Sequence, residues 1–307
     1  MTVTQPVTQP STPVVATRIA VIGPGAIGGT LAAWLAESAT LDVVLCARSA
    51  IERLIVDVPG DRTIDVSLPV LVDPARARSV DWILAVTKTY DVEGASRWVE
   101  RLLGPSTCLA VVQNGVEHME RFAGLVPPER TLPVVVDLSA ERRAPGRMRQ
   151  RRIGELIVPA GALGRGFASL FAATPLCVSP VDDFMTAAWR KLVLNSAGVV
   201  QALTGKPAGV VRNHRAAGLM HGIALESIRV GRAVGADLED AVADEVLTRF
   251  RASNPDATNS VLADRLAGRP LEIDARNGVV VRLGAVHGVA TPLNAMAVAI
   301  LEAAAEP

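Results

Sequence analysis

Residues 18–38 have the sequence RIAVIGPGAIGGTLAAWLAES, and this stretch decides the fold. The apolar run 19–22 predicts a buried β-strand, and the alanine- and leucine-rich pattern over 26–38 predicts a helix directly after it. Between them lies a G-x-G-x-x-G turn, the spacing that holds the pyrophosphate of a dinucleotide at a helix N-terminus. Gly23 permits the turn, Gly25 lets the backbone approach the phosphates, and Gly28 lets helix and strand pack closely. We therefore expect dinucleotide contacts from Gly23, Pro24, Gly25, Ala26, Ile27 and Gly28. The alternative is a purely structural glycine turn.

The end of the next predicted strand indicates which dinucleotide binds. An NAD site has an acidic residue there, which bonds the ribose 2′-hydroxyl. This strand, 42–46, is followed by Ala47 and Arg48, and Asp42 lies at its opposite end. The guanidinium of Arg48 suits a 2′-phosphate because its donors match the phosphate oxygens. The sequence therefore favours NADP over NAD, with a surface arginine as the alternative interpretation of Arg48.

The composition fits two domains without charge bias. The chain has 307 residues, half of them apolar, and a formal net charge of zero. These values allow two cores and argue against a nucleic-acid or anionic-membrane partner. Three separated cysteines, Cys46, Cys108 and Cys177, indicate neither a disulfide framework nor a metal site, which predicts a reducing cytoplasmic location. Residues 1–16 predict a disordered tail rather than a signal peptide, and no apolar stretch approaches the roughly 20 residues that span a bilayer.

Apolar strands and helical patterns alternate from residue 17 to about 180, which predicts a parallel sheet covered by helices. The predicted strands are 18–22, 42–46, 81–87 and 107–112, and the predicted helices are 26–38, 91–103 and 116–123. Residues 57–72 predict a short β excursion, and residues 131–158 predict antiparallel strands with a turn at 144–146. Because ligands bind at the carboxyl ends of parallel strands, the residues that follow these strands are expected to converge on one ligand. They are Gly23–Gly28, Arg48, Thr87-Lys88 and Gln113–Gly115.

The pattern becomes almost wholly helical after Pro175–Pro180. This change suggests a boundary between a Rossmann-type α/β domain, residues 17–180, and an all-helical domain, residues 181–307. The predicted helices of the second domain are 182–203, 212–234, 238–252, 258–267, 272–286 and 292–304. Thr291 is expected to cap the last helix, with Pro292 at its first position.

Lysine is rare in this chain, since only Lys88, Lys191 and Lys206 occur among 31 basic residues. A lysine kept in such a chain is a candidate for proton donation, which arginine cannot perform. Lys191 and Asn195 lie four residues apart on one predicted helix face, among apolar neighbours. A partly buried ammonium has a lowered pKa and can protonate the alkoxide that forms when a ketone accepts hydride. The alternative is a lysine whose stem covers the helix surface while its ammonium remains in water.

Other polar residues have ordinary structural explanations. Glu272 begins a predicted helix, where the helix dipole favours a carboxylate, and Ser260 begins another. Six arginines fit a solvated β-turn region better than a site for an anionic partner. They are Arg142, Arg143, Arg147, Arg149, Arg151 and Arg152. The four histidines form no pair at metal-ligand spacing, and His287-Gly288 fits a helix C-terminus.

Taken together, these motifs resemble the ketopantoate reductase (2-dehydropantoate 2-reductase) family over residues 17–304. The residues that carry the resemblance are Gly23–Gly29, Arg48, Thr87–Asp91, Gln113–Val116, Trp189–Leu192, Asn195, Glu272, Asn277-Gly278, His287-Gly288 and Thr291-Pro292. The resemblance implies NADPH-dependent reduction of a 2-oxo acid in a cleft between the two domains. It also implies that the helical domain binds the substrate and takes part in a homodimer.

The resemblance also implies roles for individual residues. Lys191 is the implied general acid, and Glu272 is the implied carboxylate that bonds the cofactor ribose and helps to order the site. Further cofactor contacts are implied for Arg48, Lys88, Asn114 and Ala140. Substrate contacts are implied for Asn114, Lys191, Asn195 and Ser260.

One position departs from the family pattern. The family often has a second asparagine four residues after Asn195, where this chain has Val199. The change indicates a different or less polar 2-oxo acid, because hydrogen-bonding groups set substrate choice strongly. Two alternatives remain open. One is a β-hydroxyacid dehydrogenase, which also pairs a Rossmann domain with a Lys-x-x-x-Asn helix, and the other is a non-catalytic NADP sensor.

Overall fold

The predicted strand, glycine turn and helix are present in the computed structural model of the protein, which describes residues 16–305. Strand β1 is Thr17–Ile22 and helix α1 is Ala26–Leu35. The predicted tail, residues 1–16, lies outside the described residues apart from its last position. The turn therefore stands where the sequence placed it, between a strand and the start of a helix.

Strand β1 lies inside a six-stranded parallel sheet of order β5-β2-β1-β6-β7-β8. The other strands are β2 Leu41–Cys46, β5 Val70–Leu71, β6 Trp82–Ala85, β7 Cys108–Val111 and β8 Thr131–Pro133. Side chains of β1 alternate between two cores: Ile19 and Val21 face α1, and Ala20 and Ile22 face α2, Val92–Leu102. Burial on both faces explains why the strands of this sheet are almost wholly apolar.

A second sheet covers the other side of α1. Its order is β11-β10-β3-β4, and β9 pairs antiparallel with β10 over residues 147–157. Its strands are β3 Leu54–Val58, β4 Arg62–Val66, β9 Val135–Ala144, β10 Arg147–Pro159 and β11 Cys177–Val181. The indole of Trp34 on α1 donates a buried 2.8 Å hydrogen bond to Gln150 on β10, which fixes the helix against this sheet.

Helices make up the described chain from Phe184 onward. They are α4 Phe184–Ala197, α5 Val199–Thr204, α6 His214–Ala233, α7 Ala241–Ala252, α8 Ser260–Leu266, α9 Val279–His287 and α10 Pro292–Ala303. A single π-helical segment, Asp274–Gly278, precedes α9, and the Gly278 N–H donates to the Ile273 carbonyl at 3.0 Å. These helices share one apolar core in which Trp189 is 1% exposed.

Helix α10 begins at Pro292, as predicted, but its cap is not local. The side chain of Thr291 makes no capping hydrogen bond. Instead, the buried carboxylate of Glu226 on α6 accepts 2.9 Å hydrogen bonds from the N–H groups of Leu293 and Asn294. A negative charge at a helix N-terminus satisfies free N–H groups and complements the dipole. Glu226 therefore caps α10 in place of Thr291, the residue that the sequence predicted as the cap.

Two further sequence expectations are corrected. Residues 116–123 form turns and a short 3₁₀ segment rather than a helix, because the buried His118 ring bonds the Gln113 carbonyl at 2.9 Å and draws the chain back toward β7. Residues 131–133 pair in parallel with β7, and the antiparallel hairpin is confined to β9 and β10. Residues 177–181 form β11, a strand that the sequence analysis did not predict; it lies parallel to β10, and helix α3, Ala162–Leu170, connects the two strands. Within residues 16–305, no helix is long and apolar enough to cross a bilayer.

The glycine turn allows a matched pair of substitutions. A Cβ on Gly28 would overlap the Gly23 carbonyl oxygen, whereas the nearest atom to a Cβ on Gly25 is that oxygen at 4.0 Å. We expect Gly28→Ala to lower the free energy of unfolding by about 1–3 kcal/mol, because the turn must shift to relieve the overlap. Gly25→Ala should change it little. Urea unfolding of both variants checks this, and equal losses would contradict it.

Candidate active site

The glycine turn leaves room for a phosphate group at the start of α1. Gly23 has a φ of +84°, and a Cβ there would lie 2.9 Å from Thr87 Cγ2, so the turn needs glycine. Space is open beside Gly25, and no acidic residue lies in the first turn of α1. The first N–H groups of a helix have no partner inside the helix, so this turn offers donors to an anion. The site therefore fits the pyrophosphate of a dinucleotide.

Arg48 lies exposed just beyond the end of β2. Its charge acts on the phenol of Tyr90, which follows β6. Partial burial raises the pKa of Tyr90, and the charges of Lys88 and Arg48 oppose that rise. Arg48, Tyr90 and Lys88 thus lie close together at the carboxyl edge of the sheet, beside the glycine turn.

Glu272 connects the ends of β6 and β7 to the helical half. Its Oε2 accepts hydrogen bonds from Lys88 Nζ at 2.8 Å and from Asn114 Nδ2 at 3.1 Å. Its Oε1 accepts a 3.1 Å bond from the Thr89 N–H. Lys88 also donates to Asp264 on α8 at 2.9 Å. Three residues that the sequence assigned to the site, Lys88, Asn114 and Glu272, are therefore in direct contact.

The charges in this cluster stabilise one another. Burial alone would raise the pKa of Glu272, but Lys88, Arg276 and the Thr89 N–H outweigh it and hold the pKa below its ordinary value. Burial would lower the pKa of Lys88, but Glu272 and Asp264 outweigh it and raise the pKa. Both groups are therefore charged at neutral pH.

Lys191 forms a second ionic cluster around Asp137, which the sequence analysis did not identify. Lys191 Nζ donates to Asp137 Oδ1 at 2.5 Å. Arg152 on β10 and Arg249 on α7 approach the same carboxylate at 2.8 and 3.0 Å. Three cations from three elements thus meet one acid on β9. Burial opposes ionisation of Asp137, but these cations hold its pKa far below the ordinary value.

The pKa of Lys191 is lowered in this setting. Burial is the largest cause, and the nearby charges of Arg249 and Arg276 act in the same direction, while Asp137 raises the pKa. The side chain of Lys191 is only 21% exposed. A lysine with a lowered pKa transfers its proton more readily, which is the property that a general acid at neutral pH requires.

Asn114 and Asn195 complete a small cleft between the two halves. Asn195 Nδ2 lies 3.5 Å from Asn114 Oδ1, so the two amides face each other across the cleft. Residues from the end of β7, the start of β9 and α4 line it: Gln113, Asn114, Gly115, His118, Val135, Val136, Lys191, Leu192 and Asn195. The cavity volume is about 10 Å³, room for about one water molecule. Burial and the charge of Arg121 lower the pKa of His118 to about 4, so this histidine is neutral.

Ser260, Ala140 and Val199 lie apart from these contacts. Ser260 accepts a 2.8 Å hydrogen bond from the buried Arg276 and does not touch Lys191. Ala140 lies three residues after Asp137 on β9, opposite Gln150, so a ligand contact there would come from its backbone. Val199 is 1% exposed and packs in the helical core.

Four residues of these clusters were not identified from the sequence: Asp137, Arg249, Asp264 and Arg276. A polar residue in an otherwise apolar strand start, VVVDL, was a signal for Asp137. Arg249, Asp264 and Arg276 occur in ordinary helical patterns and gave no signal.

The arginine cluster is mostly paired with acids. Arg143 and Arg151 contact Glu141, Arg147 contacts Asp57, and Arg152 contacts Asp137. These pairs fit the solvated β-turn interpretation for the hairpin, except that Arg152 reaches the Lys191 cluster. Over residues 16–305, no group of three or more metal-ligating side chains occurs.

A phosphate-binding turn on a parallel sheet, with a lysine cleft facing a helical half, defines the class of two-part dinucleotide-binding enzymes. The family described as "Ketopantoate reductase PanE/ApbA" matches residues 19–163, and its C-terminal part matches residues 183–305. The chain belongs to the ketopantoate reductase family, whose enzymes are oxidoreductases with a nicotinamide cofactor. This membership sets aside the β-hydroxyacid dehydrogenase alternative.

Relatives match along nearly the whole chain. A 2-dehydropantoate 2-reductase of Caulobacter vibrioides is 52% identical over 289 residues, which cover 94% of this chain and 99% of that protein. One from Mycobacterium tuberculosis H37Rv is 38% identical and covers 95% and 99%. The crystal structure of the 2-dehydropantoate 2-reductase from Geobacter metallireducens has a TM-score of 0.88 at 28% identity, covering 94% of this chain and 99% of that one. The expected Rossmann-type and helical architecture is thereby confirmed.

The Lys88 cluster predicts a pH-dependent loss of stability in Lys88→Met. The lowered pKa of Glu272 contributes stability above the unfolded pKa of about 4.3, and this contribution is lost as the pH falls through the folded pKa. Removing Lys88 leaves Glu272 and Asp264 without their shared cation. We expect a loss of about 2 kcal/mol at pH 7 and a smaller loss at pH 4.

Urea unfolding at the two pH values measures the difference. Lys206→Met is the matched control, because Lys206 is exposed and far from the cluster in sequence. A loss of equal size at both pH values would show that the ion pairs do not stabilise the fold.

Proposed function

We propose that the protein reduces a 2-oxo acid, ketopantoate or a related compound, to the 2-hydroxy acid with NADPH. The single observation that carries this proposal is the position of Lys191. Its side chain is largely buried and lines a cleft that Asn114 and Asn195 also line. Asn114 also contacts Glu272, which binds the residues at the end of β6. It therefore lies between this cleft and the sheet edge that would hold a dinucleotide.

The residues at the sheet edge fit NADP. The N–H groups at Gly25–Gly28 would hold the pyrophosphate, Arg48 the 2′-phosphate and Glu272 a ribose hydroxyl, while Lys88 would make a further cofactor contact. Asn114, and the backbone of Ala140, would contact the nicotinamide end. When bound, the nicotinamide supplies the hydride for the carbonyl carbon.

Lys191 would supply the proton for the carbonyl oxygen. An ammonium has three N–H donors, and the 2.5 Å bond to Asp137 uses one of them, which leaves donors for the substrate. Asn195 and Asn114 would orient the substrate through their amides, and Ser260 would contact it from α8. Because the cleft now has room for about one water molecule, its lining side chains must move before a 2-oxo acid enters.

We propose the division into residues 17–180 and 181–307, with a homodimer formed through the helical part. The three cysteines are all free thiols, and this supports a reducing cytoplasmic location.

Loss of NADPH absorbance across a panel of 2-oxo acids that includes ketopantoate, with NADH in parallel, tests the proposed function. We expect oxidation of NADPH in preference to NADH. Activity only on 2-oxo acids other than ketopantoate would support the proposed reaction but assign it a different substrate. Binding of NADPH without oxidation by any acid would favour the sensor alternative.

Lys191→Ala tests the assigned proton donor. We expect turnover to fall by about 10²–10⁴-fold, the usual contribution of a general acid, while NADPH affinity is retained. Lys206→Ala serves as the control. Unchanged turnover in Lys191→Ala would remove Lys191 from the mechanism.

Asp137→Asn tests how the pKa of Lys191 is set. Asp137 raises the pKa of Lys191, so a neutral asparagine in its place should lower that pKa. Lys191 should then lose its proton at a lower pH than in the wild type. The basic limb of the kcat–pH profile should therefore move to lower pH. Asp65→Asn, which removes an exposed partner of Arg53, is the control. A basic limb that stays in place would mean that Asp137 does not act on the proton donor.

A further inference from the structure

Arg276 is a buried cation that forms no salt bridge within residues 16–305. The residue is only 3% exposed, and the carboxylates whose charges act on it, Glu272 and Asp264, do so without an ion-pair contact. Its Nη2 donates to Ser260 Oγ at 2.8 Å, while its buried Nε has no hydrogen-bond partner. Arginine is almost never fully buried unless it is paired, because an unpaired buried charge is costly. The arrangement leaves a buried guanidinium N–H free to donate a hydrogen bond to a bound anion.

The fold places Arg276 beside the substrate cleft. It lies in the π-helical segment Asp274–Gly278, four residues after Glu272, which contacts Asn114. The neighbouring Ala275 carbonyl packs over Gly115, which lines the cleft. The guanidinium is also near enough to Lys191 for its charge to act on that ammonium. Arg276 therefore contacts Ser260 and lies close to both Lys191 and the cleft.

The sequence supplies an independent reason to look for a polar group here. Val199 stands where the family resemblance implies a second asparagine for the substrate, and its side chain is enclosed in the helical core. The substrate site of this chain thus lacks one polar contact on α5. The buried guanidinium of the π-helical segment can replace that contact. Its hydrogen bond would be roughly twice as strong as one between two neutral groups, because the donor is charged.

We propose that Arg276 binds the carboxylate of the 2-oxo acid substrate, with Ser260 holding the guanidinium in place. The planar fork of an arginine matches the two oxygens of a carboxylate, and the ligand charge would satisfy the buried cation. The adjacent ketone oxygen would then face Lys191. This proposal rests on the proposed function and deepens it, since it makes a free carboxylate next to the ketone a requirement for the substrate.

Arg276→Met removes the charge and keeps most of the side-chain volume. We expect the KM for the 2-oxo acid to rise about 100-fold or more, as for other buried charge pairs, while the KM for NADPH changes little. Arg282→Met is the matched control, because Arg282 lies in the following helix, is 45% exposed and pairs with Glu117 and Asp274. Arg276→Lys, which keeps a charge, should raise the KM by about 10-fold.

The methyl ester of the same 2-oxo acid separates recognition from general damage. The wild type should prefer the acid to the ester by about 100-fold, and Arg276→Met should lose that preference. A structural role would lower activity on both compounds alike and leave the preference intact, and that result would overturn the proposal. If Arg276→Met does not fold, an unchanged acid-to-ester ratio in Arg276→Lys overturns it equally.

Calorimetric titration of the 2-oxo acid into the complex with NADP⁺ gives a readout that needs no turnover. Binding by the wild type and by Arg282→Met, but not by Arg276→Met, supports the proposal even if no reduction is observed and the proposed function fails. Equal binding by all three proteins overturns it. An absence of binding by the wild type overturns both the carboxylate site and the proposed function.

Discussion

Glu272 extends from the helical half to the carboxyl edge of the parallel sheet, where its two oxygens accept hydrogen bonds from Lys88, Thr89 and Asn114. Nearly every other feature of the site depends on this contact. It fixes the ends of β6 and β7 relative to the segment that precedes α9, and thereby sets the position of Asn114 in the cleft. It also keeps the buried acid of α8, Asp264, close to a cation. The carboxylate is therefore a structural joint as well as a candidate cofactor ligand, and these two roles are difficult to separate by a single substitution.

Asp137 forms a corresponding joint on the other side of the cleft. The hairpin of β9 and β10 reaches the helical half through the contacts of Asp137 with Lys191 and Arg249. The candidate proton donor is thus held by a residue of the second sheet, although the parallel sheet holds the candidate dinucleotide site. The parallel sheet, the β9–β10 hairpin and the helical half must therefore be correctly positioned relative to one another for a hydride and a proton to reach the same carbonyl group. This requirement explains why charged side chains, which are costly to bury, occupy the contacts between these parts.

The sequence predicted the parts of the site that depend on local geometry. The glycine turn, Arg48, Lys88 and Asn114 all follow apolar strands, and parallel strands bring such positions to one edge. The scarcity of lysine was a further signal, since two of the three lysines, Lys88 and Lys191, lie in the candidate site. Asp137 and Arg276 could not be found in this way. The role of Asp137 depends on how a hairpin packs against α4. Arg276 is one of many arginines in the sequence, and its burial depends on the π-helical segment that contains it. The wrong prediction of a helix at 116–123 has the same origin, because the His118 bond to the Gln113 carbonyl is a tertiary interaction that no helical periodicity reveals.

The cap of α10 shows what such distant contacts mean for the behaviour of the chain. Glu226 and Asn294 are 68 residues apart, yet the carboxylate of one satisfies the backbone of the other. If α10 separated from α6, a buried charge would lose its partners at the same moment that the helix lost its cap. The two helices therefore cannot open independently, and they belong to one cooperative unit of local unfolding. The same carboxylate also accepts from the Asn294 side chain, which accepts in turn from Asn277 beside Arg276. The rigidity of the segment that carries the proposed carboxylate site is thus linked to helices far from the cleft.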